Sequence, residues 1–380
     1  MPPPGLNFIA DLHGDGSLSE IARIALDALR TQDYPFSYVE LLYPYQMYRT
    51  AEVRYPRYEN LPTGSRYPLN LLNYNLHIFE TLSDEALRAV TQGKYTIGHW
   101  VWEMPNVPPS WLPQFKRVDE AWVISTFTQS IFNKLSDLPT TVINPAIQVG
   151  DTAGLGRADF GLPEDRYIFL FTFSVGSGDG RKNPWGVIEA FKRAFGTGPR
   201  KDGPLLVLKT QHSADYPDLM AALHRGIEEV GGVLLDASYP RPQFNDLLRA
   251  ADSYVSLHRA EGYGLGMAEA MALGKPVIAT GYSGNLDYMT PQNSYLVDYV
   301  LRSVQKEDHR YRPELVDLYY EGLEWAEPDV DIAALFMAQL DEHPDTGRAR
   351  GAFAAAEIAR NLSLEAVGAR MVARLGDLGG

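Results

Sequence analysis

Apolar and amphipathic segments alternate regularly from about residue 145 to residue 300. Apolar runs at 167–173, 205–208, 233–235, 254–257, 277–280 and 295–297 predict strands. Between several of them, apolar residues recur at i, i+3, i+4 and i+7. Val187, Ile188, Phe191, Ala194 and Phe195 form one such face. Leu219, Met220, Leu223, Ile227 and Val230 form a second, and Phe244, Leu247, Leu248 and Ala251 a third. These spacings predict helices. Strand–helix alternation with short linkers implies a parallel sheet with helices on its faces.

The first 145 residues repeat the pattern less cleanly. A strand at 6–12 is followed by a helix whose apolar face carries Leu18, Ile21, Ala22, Ala25, Ala28 and Leu29. Further strands are expected near 37–41, 75–79, 95–98, 121–124 and 141–143. The stretch 149–163, with four glycines, reads as the crossing between two halves. After about Asp329 the pattern is helical, over 333–340 and again over 352–375. The expected architecture is therefore α/β, with two parallel-sheet domains. Residues 1–145 form the first, 146–360 the second, and 361–380 a closing helix packing back toward the first. No repeat of solenoid period is present. In such sheets ligands bind beyond the carboxyl ends of the strands, so informative residues should follow strands.

Composition narrows the classes. A chain of 380 residues suits two domains, and 45% apolar with 22% charged residues is globular. A net charge of −14 argues against nucleic acid and against loose binding to anionic lipid, since both need a cationic footprint. The absence of cysteine removes disulfides, thiolate metal sites and thiol nucleophiles. Met1-Pro-Pro-Pro-Gly has neither a basic nor an apolar leader region, and the longest apolar run, 167–173, is far short of a membrane span. The expectation is a cytoplasmic protein without a stable membrane anchor.

The chemistry concentrates after the strand 254–257. There the chain reads His258-Arg-Ala-Glu261-Gly262-Tyr263-Gly264-Leu265-Gly-Met-Ala-Glu269, then a helix to about Leu273. Glu261 is expected in a glycine-rich loop and Glu269 in the first turn of that helix. Glycines let backbone approach a ligand, and free N–H groups at a helix start favour an anion. Phosphate would repel both carboxylates, so each is expected to accept hydrogen bonds from sugar hydroxyls. Taken alone, a glutamate at a helix start is also a common macrodipole residue. Positive charge comes from elsewhere. Arg181 and Lys182 follow the strand 167–173, just before Asn183 as an N-cap and Pro184 as a first helical residue. Lys209 ends the strand 205–208. Three cations and two helix starts at one sheet edge suit a diphosphate without a metal ion.

The run 256–285 resembles the donor-site signature of glycosyltransferase family 4, with its two glutamates separated by seven residues. Arg181-Lys-Asn-Pro, Trp325-Ala-Glu-Pro-Asp329, Trp100-Val-Trp-Glu103 and Asp119-Glu-Ala-Trp122 add to the likeness. The resemblance implies the GT-B fold, two Rossmann-like domains facing an interdomain cleft. It also implies retaining transfer of a sugar from a nucleoside-diphosphate sugar to a hydroxyl acceptor, with no further cofactor. Carried over by position, Glu269 holds the nucleotide ribose. Glu261 and the backbone of Gly262, Tyr263, Gly264 and Leu265, beside His258, hold the donor sugar and its phosphate. Arg181 and Lys182 neutralise the diphosphate, although many relatives carry their arginine six residues before the lysine, where Gly176 stands.

The first half resembles the acceptor domain of that family. Gly16 and Ser17 lie in the loop after the first strand, where relatives have a glycine loop facing the donor phosphate. A dinucleotide fingerprint with Glu40 as its ribose acid is the competing reading, and Ser19 occupies the slot of its third glycine. His99 corresponds to a strand-terminal histidine that reaches the transferred sugar, and His77 is a weaker case of the same kind. Seven tyrosines lie among four arginines between Tyr43 and Tyr74; Tyr45 and Tyr48 are candidate acceptor contacts. Asp329 and Asp331 imitate a metal-binding pair, but their place before a helix reads better as capping. No residue stands out as a covalent nucleophile. A nucleotide-sugar epimerase of the same fold and a non-catalytic nucleotide-sugar-binding module remain as rival readings.

Overall fold

In the computed structural model, residues 5–14, 16–41, 55–199, 202–211, 213–309, 311 and 322–378 are described. They divide into two compact units, 1–148 with 360–380, and 149–359.

The first unit begins with β1 (Leu6–Ala10), α1 (Ser17–Arg30), β2 (Phe36–Val39), β3 (Leu69–Asn73), α2 (Leu76–Phe79), α3 (Asp84–Thr91), β4 (Tyr95–Trp100), β5 (Glu120–Val123), α4 (Thr126–Leu135) and β6 (Thr140–Val142). Its six strands form one parallel sheet in the order β2-β1-β3-β4-β5-β6. The sheet is buried and mostly apolar, as a covered parallel sheet requires, but a row of polar side chains crosses it. Asn7 on β1 donates to Asn70 on β3 at 2.8 Å and accepts from Ser37 on β2 at 3.0 Å. Asn70 in turn donates to Thr96 on β4 at 3.0 Å. In the ladder, Asn7 stands opposite both Ser37 and Asn70, and Asn70 opposite Thr96. A slip of one residue would strand all four polar groups, so the row specifies register at the centre of the sheet.

The second unit holds β7 (Ile168–Thr172), α5 (Asp179–Lys182), α6 (Pro184–Phe195), β8 (Leu205–Thr210), α7 (Pro217–Glu229), β9 (Val233–Asp236), α8 (Arg241–Ala250), β10 (Ser253–Ser256), α9 (Leu265–Ala272), β11 (Val277–Thr280), β12 (Tyr295–Val297), β13 (Tyr299–Ser303), β14 (Glu324–Pro328), α10 (Val330–Glu342) and most of α11 (Pro344–Leu362). Its six-stranded parallel sheet has the order β12-β11-β10-β7-β8-β9, and β13 pairs with β14 as a separate antiparallel ribbon. The order reverses between β10 and β7, with consecutive strands running outward on either side. That reversal is the switch point at which ligands lodge in open α/β sheets. Asp329 caps α10 by accepting from the backbone N–H groups of Asp331 and Ile332, as its position before a helix leads one to expect.

The chain returns to the first unit through α12 (Leu364–Leu378). The helical tail is thus interrupted at Ser363, whose hydroxyl accepts from the backbone of Ala366 at 3.2 Å. Arg374 on α12 forms a two-toothed pair with Glu120 on β5, at 3.0 and 2.7 Å. Glu120 is fully buried and also accepts from Trp122 and Thr141.

Two expected elements change. The strand expected at 75–79 is instead β3 at Leu69–Asn73, and Asn75 leads into the short helix α2. The buried Asn70 breaks the apolar run that would have marked the true strand. The ribbon β13–β14 has no counterpart in the sequence pattern, because β13 is largely exposed and alternates weakly.

Candidate active site

In the second unit the site grows from the loops at the switch point. β7 leads to the turn of α5, and Asn183 then adopts a left-handed backbone (φ 52°). Its side chain does two jobs. The amide oxygen accepts from the Gly186 N–H at 3.1 Å, capping α6, and the amide nitrogen donates to the Leu257 carbonyl at 2.8 Å. The α5 turn is thereby tied to the loop after β10. Two more bonds reinforce the tie: the Arg259 N–H donates to the Arg181 carbonyl at 2.8 Å, and the Arg181 guanidinium to the Ala260 carbonyl at 2.9 Å.

This places Arg181 and Lys182 directly against Glu261. Lys182 Nζ donates to Glu261 Oε1, and Arg181 lies 3.6 Å from Oε2. The three side chains are 19%, 7% and 9% exposed, in the order Lys182, Arg181, Glu261. Burial pushes the Glu261 carboxyl up, but Lys182 and Arg181 outweigh it and hold the group down at about 2. Glu261 is therefore ionised throughout the physiological range. The two cations and the carboxylate meet in a poorly hydrated setting, where their charges are weakly screened. Glu261 was expected to face sugar hydroxyls and the two cations phosphate; the structure joins all three. The cations also lie within a short helix, rather than in the loop ahead of one.

The glycine loop is fixed by backbone packing. A Cβ on Gly284 would lie 2.0 Å from the Gly262 carbonyl oxygen, so the two loops touch main chain to main chain. Gly264 takes a left-handed conformation (φ 86°) immediately before α9. Tyr288 donates to the carbonyls of Tyr263 and Gly264, at 2.9 and 2.8 Å, and Ser283 accepts from the Glu261 N–H at 2.8 Å. Leu265 and Gly266 open α9, and their N–H groups form an anion-favouring end, while those of Met267 and Ala268 donate to the Gly264 carbonyl.

Glu269 lies in the second turn of α9, not the first. It is 2% exposed and takes a hydrogen bond from Arg241 at the start of α8. Arg241 went unnoticed in the sequence, where it stands 28 residues from its partner with no local motif to mark it.

Lys209 sits inside β8, which runs on to Thr210 rather than ending at 208. Its ammonium donates to Gln211 at 2.7 Å and lies 5.8 and 5.5 Å from the ring centres of Tyr239 and Phe244. Burial brings it down to about 8. His258 is wholly buried: Nδ1 is 3.1 Å from Ser256 Oγ, and Nε2 lies 3.1 Å from the Tyr282 carbonyl and 3.2 Å from Asn285 Oδ1. Burial holds its pKa below the usual histidine range.

In the first unit, His99 lies one residue inside the end of β4, which extends to Trp100. It is 7% exposed, with Nδ1 2.5 Å from Asn73 Oδ1 and no partner for Nε2. Burial lowers its pKa to about 4, so the ring is neutral at pH 7. His77 is on the helix α2, not at a strand end; it is exposed, its ring 6.0 Å from that of Trp111. Gly16 precedes α1 and Ser17 opens it. The loop ahead of them is shaped by Asp11, which accepts from the N–H groups of His13 and Gly14 at 3.0 and 3.1 Å. Arg23, another residue the sequence did not mark, reaches back from α1 to the carbonyls of Leu12 and Gly14 at 3.0 and 2.8 Å. Tyr45 and Tyr48 lie outside the described residues.

Residues 156–300 match the model of the family described as glycosyl transferases group 1. No curated protein matches the sequence. Solved structures match over nearly the whole chain. Sucrose-phosphate synthase from Thermosynechococcus elongatus is 15% identical with a TM-score of 0.69, covering 99% of each chain. HepE of Anabaena, in complex with UDP-glucose, is 13% identical with a TM-score of 0.66, over 98% of this chain and 99% of its own. A glycosyltransferase from Rickettsia africae is 11% identical with a TM-score of 0.64, over 98% and 97%. Identities this low establish the fold, which is GT-B: two Rossmann-like units, each with a six-stranded parallel sheet. The matched glycosyl transferases group 1 domain lies in the second unit.

Proposed function

We propose that the enzyme transfers a sugar, with retention and without a metal ion, from a nucleoside-diphosphate sugar to a hydroxyl acceptor on a glycan, glycoconjugate or small molecule. The observation that carries this reading is the buried trio of Arg181, Lys182 and Glu261 at the glycine loop. It combines two cations, N–H groups at the start of α9 and an ionised acceptor. HepE, a fold relative, was solved with UDP-glucose, which supports the same class of donor.

In this scheme Arg181 and Lys182 meet the diphosphate and stabilise the charge that develops on it as the bond to the sugar breaks. Drawn toward phosphate, they free Glu261 to accept from sugar hydroxyls. Glu269 receives the ribose hydroxyls, with Arg241 holding its carboxylate in place. Lys209 contributes positive charge, and His258 supports the loop from beneath. Of the first unit's residues, Gly16 and Ser17 are proposed for the donor phosphate, His99 for the transferred sugar and His77 for the acceptor. The acceptor oxygen bonds to the anomeric carbon as the carbon–phosphate-oxygen bond breaks. The leaving electron pair settles on the diphosphate, and the acceptor proton passes to that oxygen. Attack on the face the diphosphate leaves preserves configuration without a protein nucleophile.

The test is direct. UDP, GDP and ADP are screened for thermal stabilisation, since a ligand at about 100 times its Kd stabilises by about 2.7 kcal/mol. The matching nucleotide sugars are then supplied with sugar acceptors in chelator-treated buffer. Release of nucleoside diphosphate and an unchanged anomeric configuration by proton NMR are expected. An inverted product removes retention, dependence on added metal removes the metal-free route, and isomerisation of donor without acceptor favours an epimerase.

A further inference from the structure

A cavity of about 240 Å³ opens in the second unit, away from the residues assigned to the donor. Its walls include Asp179, Trp185, Arg225, Arg259, Glu307 and Tyr311. Neither Glu261, Glu269, Arg181 nor Lys182 lines it. The short α5 separates the two places: Asp179 at its start faces the cavity, while Arg181 and Lys182 at its end reach Glu261.

Most charges around the cavity are already committed. Arg259 is held two-toothed by Glu327 at 2.8 and 3.0 Å. Asp308, also in the wall, is held by Arg302 at 2.7 and 2.6 Å. Asp179 differs. It is 0% exposed; Oδ2 takes a long 3.4 Å bond from Trp185 Nε1, the backbone N–H groups of Asp179 and Gly180 lie beside the carboxylate, and Oδ1 has no partner in hydrogen-bond geometry. A carboxylate oxygen left bare at that depth costs free energy that a ligand hydroxyl would recover.

The wall chemistry selects the ligand. Carboxylates only accept hydrogen bonds and guanidinium groups only donate them. An anion would meet Asp179 and Glu307, and a cation would meet Arg225 and Arg259. A neutral polyol satisfies both kinds, because each hydroxyl donates and accepts. The rings of Trp185 and Tyr311, 6.3 Å apart and inclined at 36°, provide apolar faces for the C–H side of a sugar. The volume falls below the roughly 300–1,000 Å³ of sites for drug-sized ligands, so one ring is the natural occupant.

We propose that this cavity is a second carbohydrate subsite that takes one neutral sugar ring, with Asp179 accepting from its hydroxyls, Arg225 donating to them and Trp185 packing against its face. Every residue involved belongs to residues 149–359, and the subsite stands whether or not the donor reading is correct.

The experiment uses the full chain and saturation-transfer NMR. Glucose, galactose, mannose and N-acetylglucosamine are titrated as single rings, and maltotriose as a chain of rings. A saturable signal is expected, weakened at least about tenfold by Trp185→Ala and by Arg225→Ala, which is about 1.4 kcal/mol. Arg225 is exposed, so Arg225→Ala keeps the fold and reads the subsite even if Trp185→Ala does not fold. The nucleotide that stabilises the wild type should stabilise Arg225→Ala equally, which separates this subsite from the donor site. Equal affinity for single rings and maltotriose assigns the subsite to free sugar; tighter maltotriose assigns it to a unit of a glycan. No saturable sugar signal, or one that Arg225→Ala leaves intact, overturns the proposal. Displacement of the sugar by tetramethylammonium reassigns the cavity to a cation.

Discussion

His99 and His258 are the buried histidines of the two sites, one in each unit, and both are held neutral by burial. Their ring nitrogens are treated differently. His258 has protein oxygen atoms beside both nitrogens, while His99 has one at Nδ1 and nothing at Nε2. The contrast lies between the two rings and not between the two units, since Asp179 in the second unit also keeps a bare carboxylate oxygen. In the second unit the site groups face one another, Lys182 and Arg181 on Glu261 and Arg241 on Glu269. In the first unit a polar atom is left bare at a cost of about 1–3 kcal/mol. A satisfied buried histidine braces its own domain. An unsatisfied one next to the end of a strand, as His99 is on β4, is poised for a ligand.

The largest effect should come from the paired charges. Lys182→Ala and Arg181→Ala are each expected to lower kcat/KM for transfer by about 10²–10³-fold, the loss typical of a donor that stabilises a leaving charge. Nucleotide release against donor concentration measures it. Full activity in either variant would show that the trio is merely structural.

The pH response comes next. The folded pKa of His99 is about 4 against an ordinary 6.5, so the unfolded chain binds the extra proton between these values and the native state does not. Stability is complete above pH 6.5, falls as pH drops toward 4, and loses roughly 3 kcal/mol from this residue alone. Glu261 acts lower: its contribution is full above about 4.5 and is lost as pH falls toward about 2. Urea unfolding at pH 7, 5.5 and 4.5 should show the loss, and His99→Gln should flatten it.

Substituting the two histidines tests their division of labour. His258→Ala should destabilise the fold by about 1–3 kcal/mol, since Ser256, Tyr282 and Asn285 lose a partner. Activity per folded molecule should change less. His99→Ala should shift the emphasis, lowering kcat about 10–100-fold with a smaller loss of Tm than His258→Ala, since only Asn73 loses a partner. Equal Tm losses in both would erase the distinction. The smallest effect is expected from Arg241→Ala, which leaves Glu269 in place but loosened. The donor KM should rise about three- to tenfold, with kcat steady.

What could be read beforehand was local. The cap at Asn183-Pro184 and the glycine loop from Gly262 to Gly264 each act over a few residues. Six of the strands in the second unit were placed because their runs are mostly apolar, interrupted only by Thr172 and Ser256 and ended by Thr280. Pairings across distance were not legible. Nothing near Glu261 in sequence announces that its partners stand 79 residues earlier, nor does Arg241 announce Glu269. Asn70 hid β3 because its polarity is resolved by Asn7 and Thr96 on adjacent strands, a fact invisible along one strand. Asn75 and its apolar followers imitated the strand that lay just before them.

The bond between Arg374 and Glu120 also has a consequence in time. Residues 149–359 form a continuous unit, so a ribosome delivers all of it before α12 emerges. The first unit, though synthesised first, must wait with the buried carboxylate of Glu120 and the α1 surface uncovered until residues 360–380 arrive. Birth order and completion order are therefore opposite. The second unit is complete in the chain before the first, and closure of the first unit follows the synthesis of the second.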